Sequence, residues 1–268
     1  MIDQSKLLEY LHFFNDKRQL EKDYLLNLML KVISINRLSN YMAFKGGTAL
    51  YMFYGLDRFS EDLDFTYFGG KALHKEIDSY MDEIIKDFGL SYKVRKEKGN
   101  VLIKENDEIT GIRSELFIEG PLFSTEKKGH KIKIDISLRN DLVLKPMPQT
   151  IVSKYSDVGS ITLYLLQINE MLAEKMYAIA ERNKARDLYD AYFILKHKAA
   201  KFDKELFEKK VARRDGKINI ANVAESIKRI DSKKWNEELG YLISAMPELE
   251  EVKKFVLNQI VVDHHNGF

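Results

Sequence analysis

Proline appears four times in 268 residues, at positions 121, 146, 148 and 247. Proline interrupts helices and removes a backbone donor. A chain this poor in it permits long helices, and its strands must be recognised from alternation of apolar and polar side chains. Residues 3–35 read as helical, because Leu7, Leu8, Leu11 and Phe14, then Leu25, Leu28, Met29 and Val32, recur at helical spacing. The short apolar piece Met42-Ala43-Phe44 precedes Lys45-Gly46-Gly47-Thr48, with Thr48 placed to cap a helix over Ala49–Tyr54. Leu63–Tyr67 reads as a strand, and Lys71–Phe88 as an amphipathic helix stopped by Gly89. Three more strands are expected at Leu90–Lys96, Gly111–Ile118 and Lys131–Leu138. In the last, Ile132, Ile134 and Ile136 alternate with Lys131, Lys133 and Asp135, the pattern of a half-buried strand.

The Pro146-Met147-Pro148 stretch breaks this pattern and is the expected boundary. One further strand is expected at Ile161–Leu165. Helices then dominate: Asn169–Glu181, Ala185–Lys196, Lys204–Arg213, Asn219–Arg229 and Glu248–Val262. The expectation is an α+β fold, with a mixed sheet and flanking helices over 1–148 and a mainly helical domain over 149–268. No cysteine is present, which excludes a disulfide scaffold, a thiol nucleophile and a zinc–thiolate site. With no apolar run long enough for a membrane span and no signal-peptide pattern at the N-terminus, the expected location is the cytoplasm, with no membrane partner. The six histidines show no zinc-hydrolase spacing. Residues 182–234 hold 16 basic and 8 acidic side chains, although the whole chain carries only +2. Such a region suits phosphates or nucleic acid, and a solvated lysine-rich face is the plainer account.

Chemistry concentrates in Lys45-Gly46-Gly47-Thr48 and Ser60-Glu61-Asp62-Leu63-Asp64-Phe65. Two carboxylates at i and i+2 of a strand share a face, where like charges repel. A divalent cation resolves that conflict, and hard oxygen ligands favour Mg²⁺. The Gly-Gly turn and the helix start aim backbone N–H groups at a phosphate. Asp135, on another alternating strand, would supply a third carboxylate, to bind a second metal or to take a proton from an attacking hydroxyl. Taken singly, an Asp-x-Asp pair is commonly a solvated strand edge and Gly-Gly a turn; the ordered combination points to phosphoryl or nucleotidyl transfer. The aromatics at 51, 53 and 54 fit a core helix, with Tyr51 or Tyr54 also suited to stack on a base; Trp235 is expected to anchor the C-terminal helices.

Gly46-Gly47, then Asp62-Leu63-Asp64 and a distant strand aspartate, resembles the DNA polymerase β-like nucleotidyltransferase superfamily. More narrowly, Phe44–Leu50, Arg58–Phe65 and Arg186-Asp187-Leu188-Tyr189-Asp190 resemble the AbiEii/AbiGii toxins of type IV toxin–antitoxin and abortive-infection systems, over roughly residues 20–200. The resemblance implies that Gly46, Gly47 and Thr48 hold the triphosphate of an NTP. It implies Mg²⁺ (or Mn²⁺) ligation by Asp62 and Asp64, with Asp135 as the third carboxylate. Lys175, in Leu172-Ala173-Glu174-Lys175-Met176, fits the family's helical lysine. It also implies RNA, above all the 3′ end of tRNA, as acceptor, and a cognate antitoxin. The expected catalytic set is Asp62, Asp64, Asp135, Lys175 and Asp190. The expected nucleotide-binding set is Gly46, Gly47, Thr48, Arg58, Lys175, Arg186 and Asp187.

For several of these the residues leave alternatives open. Arg58 suits a loop-locking salt bridge as well as a phosphate contact. Asp187 suits a helix-dipole role, paired with Arg182 or Arg186, and Lys175 with Asp190 a buried structural ion pair. Two rival functions also stand: transfer to a protein or small molecule, and a non-catalytic nucleotide- or RNA-binding module.

Overall fold

The computed structural model describes residues 2–70, 76–105, 108–124, 129–198, 200–214, 216–243 and 245–261. The chain divides into two compact units. One comprises Met1–Thr48, Glu61–Leu138 and Pro148–Leu165; the other comprises Ala49–Ser60, Arg139–Met147 and Leu166–Phe268. The expected single cut at 148 is not how the chain divides. Residues 148–165 complete the sheet, and two short segments from the first half join the helices.

The first unit is a seven-stranded mixed sheet: β1 (Met42–Lys45), β2 (Leu63–Tyr67), β3 (Lys93–Glu105), β4 (Glu108–Glu119), β5 (His130–Ser137), β6 (Met147–Val152) and β7 (Ser160–Leu165), in the order β3-β4-β5-β2-β1-β7-β6. β2 runs parallel to β5 and antiparallel to β1, which runs parallel to β7. Alternation does what it predicts: Ile132, Ile134 and Ile136 are buried, as are Phe44, Phe65, Ile112 and Leu116 on their register partners or neighbours. Each such side chain contributes about 1.5–3 kcal/mol of burial free energy. Residues 3–35 form two helices, not one: α1 (Gln4–Leu8), a 3₁₀ turn (Leu11–Phe13) and α2 (Lys17–Ile35). The break has a local cause, since the Asp16 carboxylate accepts the Gln19 N–H and starts α2 afresh. α2 packs on β7 and on α4 (Ile77–Gly89). The N-terminal half expected for α4, from Lys71, lies partly outside the described residues. Gly89 is the last helical residue, and its place as the stop falls to Leu90.

One expected strand has other bounds, and one strand, β6, is absent from the sequence pattern. β3 begins at Lys93, not Leu90, and runs on to Glu105 opposite β4, with register shifts between Lys96 and Lys98, between Lys98 and Val101, and between Ile103 and Lys104. Those irregularities break the period-2 signal. β6 includes Pro148, which edge strands tolerate because part of their backbone needs no partner.

The second unit takes the Ala49–Tyr54 part of α3 (Gly46–Tyr54), then α5 (Ile168–Arg182), α6 (Ala185–His197), α7 (Lys204–Ala212), α8 (Ile220–Arg229), α9 (Ser232–Leu239) and α10 (Leu249–Val261). Asn183 at φ 50° ends α5 in the left-handed region, and Asp203, Asn219 and Asp231 cap the next three helices after α6. α9 was not anticipated. It carries Trp235, which is buried, meets Tyr189 edge-on at 6.1 Å and donates to the Pro247 carbonyl, the anchoring role expected of it. Lys210, fully buried, donates to Glu170 at 2.8 Å and lies 3.0 Å from Glu174, and Arg214 donates to Asp141. No described helix is long and apolar enough to cross a membrane.

Candidate active site

Four strands of the first unit lay a row of charge across one face of the sheet. In register, Lys45 of β1 lies opposite Asp64 of β2, Asp64 beside Asp135 of β5, and Asp135 opposite Arg113 of β4. Register partners share a face, so the row reads cation, anion, anion, cation. The two aspartates expected to come together from distant sequence do so. The cation expected from the sequence was for Asp62 and Asp64; beside Asp64 and Asp135 the protein sets two cations of its own. Neither Lys45 nor Arg113 stood out beforehand. Lys45 belongs to the Lys45-Gly46-Gly47-Thr48 motif, but its place beside Asp64 follows only from the β1–β2 register, as that of Arg113 follows from the β4–β5 register.

The Arg113–Asp135 pair is bidentate, with Nε donating to Oδ1 at 2.6 Å and Nη2 to Oδ2 at 3.0 Å. It lies at the surface of the sheet, with the Arg113 side chain 43% and the Asp135 side chain 23% exposed.

Where β1 turns into α3, Gly46 has φ +77°, a left-handed conformation. A Cβ placed there would stand 2.5 Å from Asp64 Oδ2. Glycine is thus required twice, once by the backbone and once by the carboxylate lying against it. Thr48 does not cap the helix from outside. α3 begins two residues earlier, and the Thr48 hydroxyl donates to the Asp62 carbonyl oxygen at 2.5 Å, tying the helix to the carboxylate segment. Gly47 lies within α3 between them. From α2, the buried Lys22 donates to the Lys131 carbonyl and stands 3.7 Å from the Glu61 carboxylate. Burial pushes its pKa down, opposed by Glu61 and Asp62.

The donor set suits a hard divalent cation. Mg²⁺ is commonly held by one or two carboxylates together with substrate phosphates and waters, not by a closed protein cage. Among the described residues no group of three or more acidic or histidine side chains is disposed to hold a metal alone. Asp64, on β2, and Asp62, just before it, are the two carboxylates that would hold such a cation, and the missing Cβ of Gly46 is what lets the Asp64 carboxylate lie against the start of α3. Two residues along the same face, Thr66 and Ser137 lie opposite one another, their hydroxyls buried and without a hydrogen-bond partner among the described residues. A buried hydroxyl left so costs about 1–3 kcal/mol, so this stretch of the face retains polar capacity for a ligand or its water.

The remaining expected residues belong to the helical unit, and four of them form one buried cluster. Arg58 grips Asp190 through Nε at 2.6 Å and Nη2 at 2.7 Å. Lys175 Nζ lies 2.7 Å from Asp190 and 3.1 Å from Asp187. Arg182 completes the chain with two hydrogen bonds to Asp187, at 2.7 and 2.8 Å. Both aspartates are fully buried. Burial alone would raise their pKa values. For Asp187 the Lys175 charge and the Arg182 fork outweigh it, and for Asp190 the Arg58 and Lys175 charges do; both carboxyls are held below the usual range. Lys175 is raised despite burial, by Asp190 and then Asp187. The loop-locking pair weighed for Arg58, the Arg182 partner weighed for Asp187 and the Lys175–Asp190 pair are all present. Arg186 is exposed, and its backbone N–H points toward Glu238 at 3.5 Å.

Solved structures share this fold. MenT4, a nucleotidyltransferase toxin from Mycobacterium tuberculosis, is 16% identical with a TM-score of 0.67, over 99% of this chain and 90% of that one. A putative nucleotidyltransferase from Helicobacter pylori is 21% identical with a TM-score of 0.55, over 93% and 96%. JHP933 from Helicobacter pylori is 22% identical with a TM-score of 0.53, over 93% of each chain. No curated protein matches the chain. The model of the nucleotidyl transferase AbiEii toxin family, type IV toxin–antitoxin system, matches residues 27–256, well beyond the point near 200 where the motif resemblance stopped. With that match spanning both units, the chain belongs to the AbiEii family and is a nucleotidyltransferase toxin of the type IV class.

Proposed function

We propose that the protein transfers the nucleoside monophosphate of an NTP to a hydroxyl at the 3′ end of RNA, with tRNA the leading acceptor, in the cytoplasm and under control of a cognate antitoxin. The observation that carries this reading is the Asp64 carboxylate lying against Gly46, at the junction where a strand delivers a helix N-terminus. That junction joins an anion-binding backbone to a carboxylate able to hold a cation.

The N–H groups of Gly46, Gly47 and Thr48 bind the triphosphate. Asp62 and Asp64 hold a divalent cation, Mg²⁺ before Mn²⁺, which when bound neutralises phosphate charge in the transition state. Asp135 is the third carboxylate, which once freed from Arg113 joins Asp62 and Asp64 at a cation or accepts the proton of the attacking hydroxyl. Lys175 has three N–H donors; two face Asp187 and Asp190, and the third is assigned to a phosphate. On this reading Asp187, Asp190 and Arg58 are positioning residues that fix the Lys175 ammonium. The exposed Arg186 meets phosphate of the nucleotide or RNA, and the excess of basic side chains over 182–234 favours a polyanionic acceptor.

The test uses purified protein, Mg²⁺, each α-labelled NTP in turn and total RNA. Label on RNA with one nucleotide, absent for Asp62→Ala, is the expected result. Label on a protein or small molecule would replace the acceptor, and NTP binding without transfer would replace the enzyme reading of the site. Expression should arrest growth, and a stably folded Asp64→Ala should not.

A further inference from the structure

We propose that Arg113 is a built-in counter-cation for Asp135, holding the third carboxylate until a divalent cation displaces it. This rests on the metal–nucleotide reading of Asp62, Asp64 and Asp135 above.

The argument begins from geometry. Asp135 is beside Asp64 in register, the position from which a third carboxylate joins the pair. Yet both its oxygens are engaged by one guanidinium, at 2.6 and 3.0 Å. A fork of this kind occupies the carboxylate edge and sets a full positive charge beside it. A cation approaching Asp135 therefore meets a competitor for the same oxygens and a like charge next to them.

What makes the pair exchangeable is its exposure. Two other bidentate arginine–aspartate pairs rest on fully buried carboxylates, Arg182–Asp187 and Arg58–Asp190, and in the second both side chains are at most 5% exposed. Breaking that pair would strand buried charges. Arg113, 43% exposed, turns out into water when released, and exposed ion pairs contribute little net stability. One pair is built to stay and the other to open. At the opposite end of the row Lys45 stands across from Asp64 in register. Arg113 thus sets the affinity of the site for its cation: it stabilises the carboxylate pair before loading and raises the cation concentration needed for loading.

The test measures Mn²⁺ binding to the full chain by electron paramagnetic resonance, without nucleotide. Arg113→Gln is expected to bind Mn²⁺ about tenfold more tightly than wild type, from removal of a like charge at short range. Arg113→Lys, which keeps the charge without the fork, should fall between. The gain should vanish in Arg113→Gln combined with Asp135→Asn. If Arg113→Gln binds no more tightly while Asp64→Asn still weakens binding, the counter-cation role is wrong and the metal reading stands. If neither wild type nor Arg113→Gln binds Mn²⁺, both fall. A check without mutation follows the Arg113 Nε–H resonance in wild-type protein during a Mg²⁺ titration. The resonance should lose its hydrogen-bonded shift as Mg²⁺ saturates; an unchanged resonance would overturn the proposal.

Discussion

Gly46 shows how much a single position can be asked to do. Its φ of +77° would cost an L-residue about 1–2 kcal/mol. A methyl group there would also push the Asp64 carboxylate aside. Gly46→Ala is therefore expected to lower stability by about 1–2 kcal/mol and transfer by about a hundredfold, since displacements near 1 Å at a reacting centre cost that much. Gly47 makes the contrast: it sits in α3 without a positive φ. Gly47→Ala should change stability by less than about 1 kcal/mol, helped by alanine's helix propensity. Thermal melts and label transfer on both variants check this, and wild-type turnover in Gly46→Ala would contradict the site. The sequence displayed both glycines and the Asp-x-Asp pair. Which glycine bears the constraint was hidden, because it depends on a strand register with Asp64 that lies beyond local pattern.

Among elements, α5 and α6 are joined by the Arg58–Asp190–Lys175–Asp187–Arg182 chain of charge. Removing one partner leaves a buried charge uncompensated. Asp190→Asn is expected to destabilise by about 3–5 kcal/mol in denaturant unfolding. The aspartates have pKa values below their unfolded ones, so their contribution is complete above about pH 4 and lost as pH falls through the folded values. Lys175 is raised, so its contribution is complete below about pH 10 and lost above. Unfolding measured from pH 7 downward should show stability falling only below about pH 4 for this cluster. Elements with clean periodicity, such as β2, β5 and α6, were legible from sequence. β3 was obscured by its register shifts, β6 by prolines read as a boundary, and α9 by its short length between Asp231 and Gly240.

At the scale of the molecule, α+β with a mixed sheet was readable, and the interleaving of the two units was not. A cut at 148 assumes that the sheet is finished there. In the structure β7 pairs with β1, the strand that delivers Lys45 and Gly46. A fragment of residues 1–148 loses that pairing and leaves β1 as a bare edge. It is expected to lack a cooperative melt by circular dichroism, whereas the full chain should show one. The row Lys45–Asp64–Asp135–Arg113 has a consequence of another kind. Its formal charges sum to zero, so the fold is expected to form without an ion, unlike small zinc domains that are unfolded until metal arrives. EDTA should stop transfer and lower the melting temperature only by the small amount that loss of a bound ion brings, without unfolding the protein, and added Mg²⁺ should restore transfer at once. On the proposed reading the protein folds first and takes its ion and nucleotide afterwards, so its stability and its activity would answer to different conditions.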